Sequence, residues 1–287
     1  MIGCFSLARE TFDIDFAKKK LVKTKKSLTK LNKKVVFFND LITNDTIGEN
    51  AIKYFKKIKC TKFIVIQSTF TDAKFISSFV KKFKKPIIFI SFKEKRSGAR
   101  LRLNSLCGVN LGLHALIKSK FYSNFIIYTN DERSFSREIL KFIKTNNNFT
   151  KKNYLKKVNS KLVNKKIIEF KKPKLGLIGE RPEGFDTCDF NNEELKSKFN
   201  ANVTKIKLQS LFNISSKVDK KKIIITKKNI SKNLKNTNQV NQKELNKSIS
   251  LFHGLEKIQQ TQNIDAFAVR CWPEMFTEYG CASCGPM

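Results

Sequence analysis

The chain has 287 residues, 40% of them apolar, which is enough for two α/β domains with cores of their own and excludes a disordered polyelectrolyte. Lys and Arg number 58 against 24 Asp and Glu, a formal charge of +34, which invites a nucleic-acid or anionic partner. Only eight of the 58 are Arg, however, and lysines run through nearly every segment, so the charge reads as a solvated coat rather than a concentrated nucleic-acid face built on Arg forks.

The first half alternates short apolar runs with amphipathic stretches, the pattern of a parallel sheet covered by helices on both faces. Strands are expected at residues 2–7, 35–38, 63–66, 86–91 and 125–128. Between them, Ile14, Ala17, Leu21, Leu28 and Leu31 form one helical stripe. Asp45 or Thr46 is placed to cap a helix carrying Ala51, Ile52 and Phe55, and Asp72 to cap one carrying Phe75, Ile76, Phe79 and Val80. Helices are also expected over 104–120 and 132–145. Residues 146–172 are Asn- and Lys-rich with scattered apolar positions and read as a bridging helix and linker. A second α/β unit follows, with strands at 175–178, 203–208 and 264–269 and helices at 192–199 and 242–262; residues 216–241 read as polar irregular chain with a strand-like island at 223–225. The domain organisation is therefore 1–150, a bridging segment 151–172, and 173–287: two consecutive parallel-sheet, Rossmann-like α/β domains.

In open α/β sheets ligands bind beyond the carboxyl ends of the strands. Three such ends carry polar candidates here: Arg9 after the first strand, Gln67 and Thr69 after the third, and Glu274 after the last. Arg9 suits an anionic or polyhydroxyl ligand, or equally an ion pair with Glu10 or Asp13. The terminal run 264–269 reads as a buried strand, after which Pro273 breaks the ladder and holds Trp272 and Glu274 toward one pocket, a stacking ring beside a carboxylate. His114 is one of two histidines; taken alone it reads as structural, as does His253. The glycines around residues 176–184 lack nucleotide-loop spacing and read as turn formers. Seven scattered cysteines indicate free thiols in a reducing, cytoplasmic setting, and the single Cys281-x-x-Cys284 is weak evidence for zinc. The N-terminus lacks a signal-peptide pattern, and no apolar run reaches the roughly 18 residues that span a membrane.

Four stretches carry a resemblance. Residues 7–13, LARETFD, are similar to the Leu-Ala-Arg-Pro-Thr-Phe-Asp opening of fucose-isomerase-like proteins; residues 69–75, TFTDAKF, resemble the Thr-Phe-Ser-Pro-Ala-Lys element of arabinose isomerases; residues 104–114, NSLCGVNLGLH, resemble their Asn-Leu-Asn-x-x-x-His element; and Trp272-Pro273 resembles the family's second-domain strand end. Together they are similar to the L-fucose/L-arabinose isomerase superfamily. The resemblance implies an aldose–ketose isomerase for a pentose or deoxyhexose, working through a metal-assisted ene-diol, with Arg9, Gln67, Thr69, Asn110, His114, Trp272 and Glu274 near a monosaccharide and Glu274 a candidate for catalysis. It also implies a homo-oligomer, hexameric in the family, with His114 at the pocket of a neighbouring subunit. The manganese ion that the resemblance implies would be held by two carboxylates and a His in a third portion beyond Met287. On that reading no metal ligand lies in this chain and it does not turn over sugar by itself. A non-catalytic sugar-binding or scaffold protein is the alternative, and a basic nucleic-acid binder a weaker one.

Overall fold

The computed structural model describes residues 1–94, 101–119, 124–128, 132–145 and 172–287, so the expected bridging segment lies almost wholly outside the described residues. The chain divides into two units: Met1–Tyr154 with Glu183–Cys188, and Leu155–Pro182 with Asp189–Met287.

In the first unit β1 (Ile2–Leu7), β2 (Val35–Ile42), β3 (Lys62–Gln67), β4 (Ile87–Phe92) and β5 (Asn124–Tyr128) form a parallel sheet in the order β2-β1-β3-β4-β5. Strands β1, β3 and β4 are buried at every position, as expected where helices cover both faces of a parallel sheet. On one face Phe5, Phe63, Val65 and Phe89 meet α2 (Asp45–Lys57), α3 (Lys74–Phe83) and α4 (Ser105–Lys118). The other face packs Cys4, Ile64, Ile66, Ile88 and Ile90 against α1 (Ile14–Leu31) and α5 (Glu132–Lys144).

Two helix caps differ from expectation. Asn44, rather than Asp45 or Thr46, caps α2 by accepting from the Ile47 amide at 3.0 Å. Ala73 is the cap residue of α3, and Asp72 reaches over it to accept from the Lys74 amide at 2.9 Å. At the far end of the sheet Lys62, only 7% exposed, donates to the carbonyls of Phe142, Ile143 and Thr145 at 2.9, 2.6 and 2.6 Å. It thereby supplies the carboxyl end of α5 with the donors its last turn lacks. Burial holds that ammonium below the ordinary lysine range.

The second unit has three parallel strands, β6 (Lys174–Ile178), β7 (Asn202–Ile206) and β8 (Ala266–Val269), in the order β7-β6-β8. Helices α6 (Asn192–Phe199), α7 (Leu208–Ser216), α8 (Lys220–Asn233) and α9 (Gln242–Gln262) accompany them. The core joins Ile178 and Ile206 to Leu211, Phe212, Leu251, Leu255, Ile258 and Met275. Both sheets are parallel and helix-covered, the α/β class expected.

Two expectations of detail fail in this unit. The supposed island at 223–225 is the second turn of α8, begun where Asp219 accepts from the Lys221 amide at 2.8 Å, and Ile224 and Ile225 are 64% and 61% exposed. Its half-buried positions Ile223, Thr226, Lys227 and Ile230 fall at helical spacing, which decides against a strand. Strand β8 alternates exposed and half-buried positions rather than being buried, because it pairs with β6 alone among the described strands. Among the described residues no helix is long and apolar enough to cross a membrane.

Candidate functional site

The strand order of the first sheet reverses at β1, whose neighbours β2 and β3 lie on opposite sides, so the β1 and β3 loops open the crevice where such sheets bind ligands. Leu7 and Gln67 are register partners, which brings residue 9 beside residue 69. The Arg9 amide donates to Thr69 Oγ1 at 2.7 Å, and the Arg9 guanidinium pairs with Asp72 while lying 5.5 Å from the centre of the Phe70 ring. Its carboxylate partner is thus Asp72, rather than the Glu10 or Asp13 expected from the sequence. Glu10 accepts from the Thr43 hydroxyl at 3.2 Å, whereas Asp13 caps α1 at the Phe16 amide and pairs with Arg102 at 2.7 Å. Those contacts, the Phe16 amide foremost, hold the Asp13 carboxyl below its ordinary range.

Gln67 is buried, and its amide donates to the Thr69 carbonyl at 2.7 Å and to Thr71 Oγ1 at 2.9 Å, bracing the loop. Thr69 is itself fully buried, its hydroxyl donating to the Phe70 carbonyl at 3.2 Å, so it supports Arg9 and does not face the crevice, contrary to expectation. A small cavity of about 80 Å³ opens at this edge between Arg9, Thr43, Asn44, Thr71, Asp72 and Lys74. Asn110 and His114 stand one turn apart on α4, exposed and half-exposed respectively. They are not among the residues lining that cavity. The structure therefore gathers Arg9, Gln67 and Thr69, with Asp72 as an addition, and sets Asn110 and His114 on a separate helical face. Asp72 carried a signal, since a carboxylate three residues after Thr69 shares its loop.

The carboxyl ends of β6, β7 and β8 surround a larger cavity of about 540 Å³, with Gly179, Glu180, Lys205, Lys207, Arg270 and Glu274 in its wall. Arg270 grips both oxygens of Glu274, Nε to Oε2 at 2.7 Å and Nη2 to Oε1 at 2.5 Å, and its Nη1 donates to the Glu180 carbonyl at 3.2 Å. A fork on a carboxylate fixes orientation as well as charge. Gly179 permits this approach: its φ is +75°, and a Cβ there would lie 2.8 Å from Arg270 Cβ. Glu274 lines this cavity, whereas Trp272 is half-buried, 5.6 Å from the Phe276 ring, and does not line it. Arg270, Lys205 and Lys207 were overlooked in the sequence. The i, i+4 spacing of Arg270 and Glu274 across a proline was the one available sign.

His253 is buried between Glu256 Oε2, 2.6 Å from Nδ1, and Thr226 Oγ1, 2.8 Å from Nε2, which makes it the structural clamp of α8 on α9. All seven cysteines are free, and burial raises the Cys281 thiol above its ordinary range. Among the described residues no three His, Cys, Asp or Glu side chains lie close enough to hold a metal ion, so the manganese implied by the resemblance has no fitting ligand set in them.

Residues 3–151 match the family model for the fucose/sulfoquinovose isomerase N-terminal domain. Over 281 residues the chain is 27% identical to sulfoquinovose isomerases of Priestia megaterium and Priestia aryabhattai, covering 98% of this chain and 59% of each relative. A sulfoquinovose isomerase of Alkalicoccus urumqiensis is 26% identical over 225 residues, 78% of this chain and 46% of the relative. The chain thus spans less than two thirds of the length of these curated relatives. The match over the five-stranded unit carries the family assignment: the chain belongs to the fucose/sulfoquinovose isomerase family.

Proposed function

We propose that the chain serves aldose–ketose isomerisation and that the cavity of the second unit takes the sugar. The observation that carries this is the Arg270–Glu274 clamp at the carboxyl ends of three parallel strands, where a doubly wound unit binds its ligand. With both oxygens fixed by one guanidinium, Glu274 keeps lone pairs free to accept hydrogen bonds from sugar hydroxyls in a set direction. The isomerisation itself requires a hydrogen to pass between C2 and C1 through an ene-diol, and a carboxylate positioned at those carbons is suited to carry it. No step is assigned to manganese, because the described residues offer no ligand set for it.

Within the pentose and deoxyhexose classes, the names of the relatives favour sulfoquinovose, a 6-deoxy sugar with a sulfonate at C6. Lys205 and Lys207 supply cations for that anionic end, in a wall that also holds Glu180, Glu278 and the Arg270–Glu274 pair. The first unit's polar groups Arg9, Asn110 and His114 are proposed as contacts to a sugar pocket shared between copies in a homo-oligomer, with buried Thr69 holding the Arg9 backbone.

Isothermal titration with sulfoquinovose, L-fucose and L-arabinose, with and without Mn²⁺, tests the reading, with ketose formation followed in the same samples by NMR. Sulfoquinovose is expected to bind most tightly, and Glu274→Gln to weaken it about tenfold, the effect of one charge-assisted hydrogen bond. Absence of binding by all three aldoses would overturn it, and metal-independent binding without ketose would favour a sugar-binding scaffold.

A further inference from the structure

The segment Glu183–Cys188 lies between β6 and α6 in the chain but belongs to the first unit, where it lies along the loop that follows β3. Its contacts converge on the residues around Arg9. The Gly184 carbonyl accepts from the Ala73 amide at 3.0 Å, and Glu183 pairs with Lys74 at 3.3 Å, the same ammonium that holds Asp45 at 2.8 Å. The Phe185 ring lies 5.8 Å from the Phe70 ring, whose far neighbours are Phe12 at 5.9 Å and the Arg9 guanidinium at 5.5 Å. Gly184 has φ +79°, and a Cβ there would come within 2.7 to 2.8 Å of the Asp72 side chain, the carboxylate that pairs with Arg9. Backbone, ring and glycine of one short strap therefore bear on both supports of one guanidinium, the aromatic face beneath it and the anion beside it.

We infer that the strap is a positioning element for Arg9, with Phe185 its anchor and Gly184 the close approach that leaves Asp72 free to turn toward the guanidinium. A simple surface loop closure would need neither a ring against Phe70 nor a glycine against Asp72. Phe70 can shift if nothing backs it, and with it goes the cation–π contact that orients Arg9. The consequence for sugar binding rests on the proposal that Arg9 contacts the sugar, whereas the positioning role stands on the geometry alone.

The test uses the full chain with the Arg Nη–H signals resolved by ¹⁵N NMR at low temperature and the Arg9 signals assigned by their loss in Arg9→Lys. In Phe185→Ala the Arg9 Nη2 protons, which make the pair with Asp72, are expected to exchange with solvent about tenfold faster, since the ion pair then opens more often. Phe185→Tyr, which keeps the ring, is expected to restore the slow exchange. Unchanged exchange in a folded Phe185→Ala overturns the inference, as does failure of the tyrosine to restore it. Should Phe185→Ala not fold, Phe185→Leu, which fills the space without a ring, is read in the same way. Titration of the same variants with sulfoquinovose separates the two ideas. Parallel loss and recovery of affinity supports both; faster exchange with unaltered affinity keeps the strap's role and removes Arg9 from the sugar site.

Discussion

The two sheets end in different ways. At the carboxyl edge of the first, Gln67, Thr69, Asp72 and Arg9 bond one another, and the cavity beside Arg9 and Asp72 is about 80 Å³. At the edge of the second the cavity is about 540 Å³, and its central carboxylate is held by Arg270. Topology puts a crevice at both edges, but the depth of the crevice depends on what stands around it. Five strands with helices on both faces bury the phenylalanines that back the first edge completely, whereas three strands leave β8 half-exposed and Phe212 in the cavity wall. The first unit is built to hold side chains still, the second to leave room.

The sharpest way to break this contrast is to remove a large ring from each. Phe79 is fully buried, with ring centres of Phe5, Phe63 and Phe83 at 4.6, 4.8 and 4.5 Å, so Phe79→Ala is expected to cost about 3–5 kcal/mol in urea unfolding. Phe212, 6% exposed and stacked on Tyr279 at 5.0 Å, faces a space already open, and its replacement by Ala is expected to cost about 2–3 kcal/mol. Trp272, the chain's single tryptophan, reports the second unit by fluorescence, while amide exchange in β3 reports the first. Equal costs would erase the distinction. Next in size is Lys62→Met, which leaves three carbonyls at the end of α5 without their donor and is expected to cost about 2 kcal/mol. Faster exchange confined to the last turn of α5 would show it.

How much of this was visible in the sequence divides along the same line. The first sheet was legible because its strands are unbroken apolar runs and its helices carry single stripes, as with Ala17, Leu21 and Leu28. Its strand ends offered Arg9, Gln67 and Thr69, which the observed pairing of β1 with β3 brings together. Its internal wiring was hidden, because the choice between Glu10, Asp13 and Asp72 as the partner of Arg9 depends on which loops meet across the sheet. The second unit misled where composition overrode period: Ile223 to Ile225 looks like a strand by β-branching, yet Asp219 caps a helix and Thr226 reaches His253 from it. Lysines dominate the whole chain, so the two that line the cavity, Lys205 and Lys207, carried no signal of their own.

A smaller effect sharpens the contrast at the second edge. Arg270→Lys keeps the charge and loses the fork that grips both oxygens of Glu274, so sulfoquinovose affinity is expected to fall about tenfold with little change in unfolding. The same change at Arg9, whose pair sits in a tighter setting, is expected to disturb its own loop more than the cavity of the second unit.

The smallest effect lies in α8, which buries no residue and is held to α9 by the Thr226–His253–Glu256 chain. With His253 Nδ1–H donating to Glu256, Nε2 is left to accept from the Thr226 hydroxyl. The hydrogen bond from His253, and then Lys222 at 3.4 Å, hold the Glu256 carboxyl below its ordinary range, with partial burial opposing them. A carboxyl whose folded pKa lies below its unfolded value stabilises the fold above the unfolded value, about 4.3, and that contribution is lost as pH falls through the folded value. Because the side chain is 34% exposed, solvent screening limits the effect to less than about 1 kcal/mol. The protection of α8 amides, taken relative to their intrinsic exchange rate at each pH, should therefore fall on going from pH 7 to pH 3.5 in the parent chain more than in Glu256→Gln. Identical acid responses in the two would show that α8 is held by its apolar face alone, and the looseness of the second unit would then be a matter of packing rather than of charge.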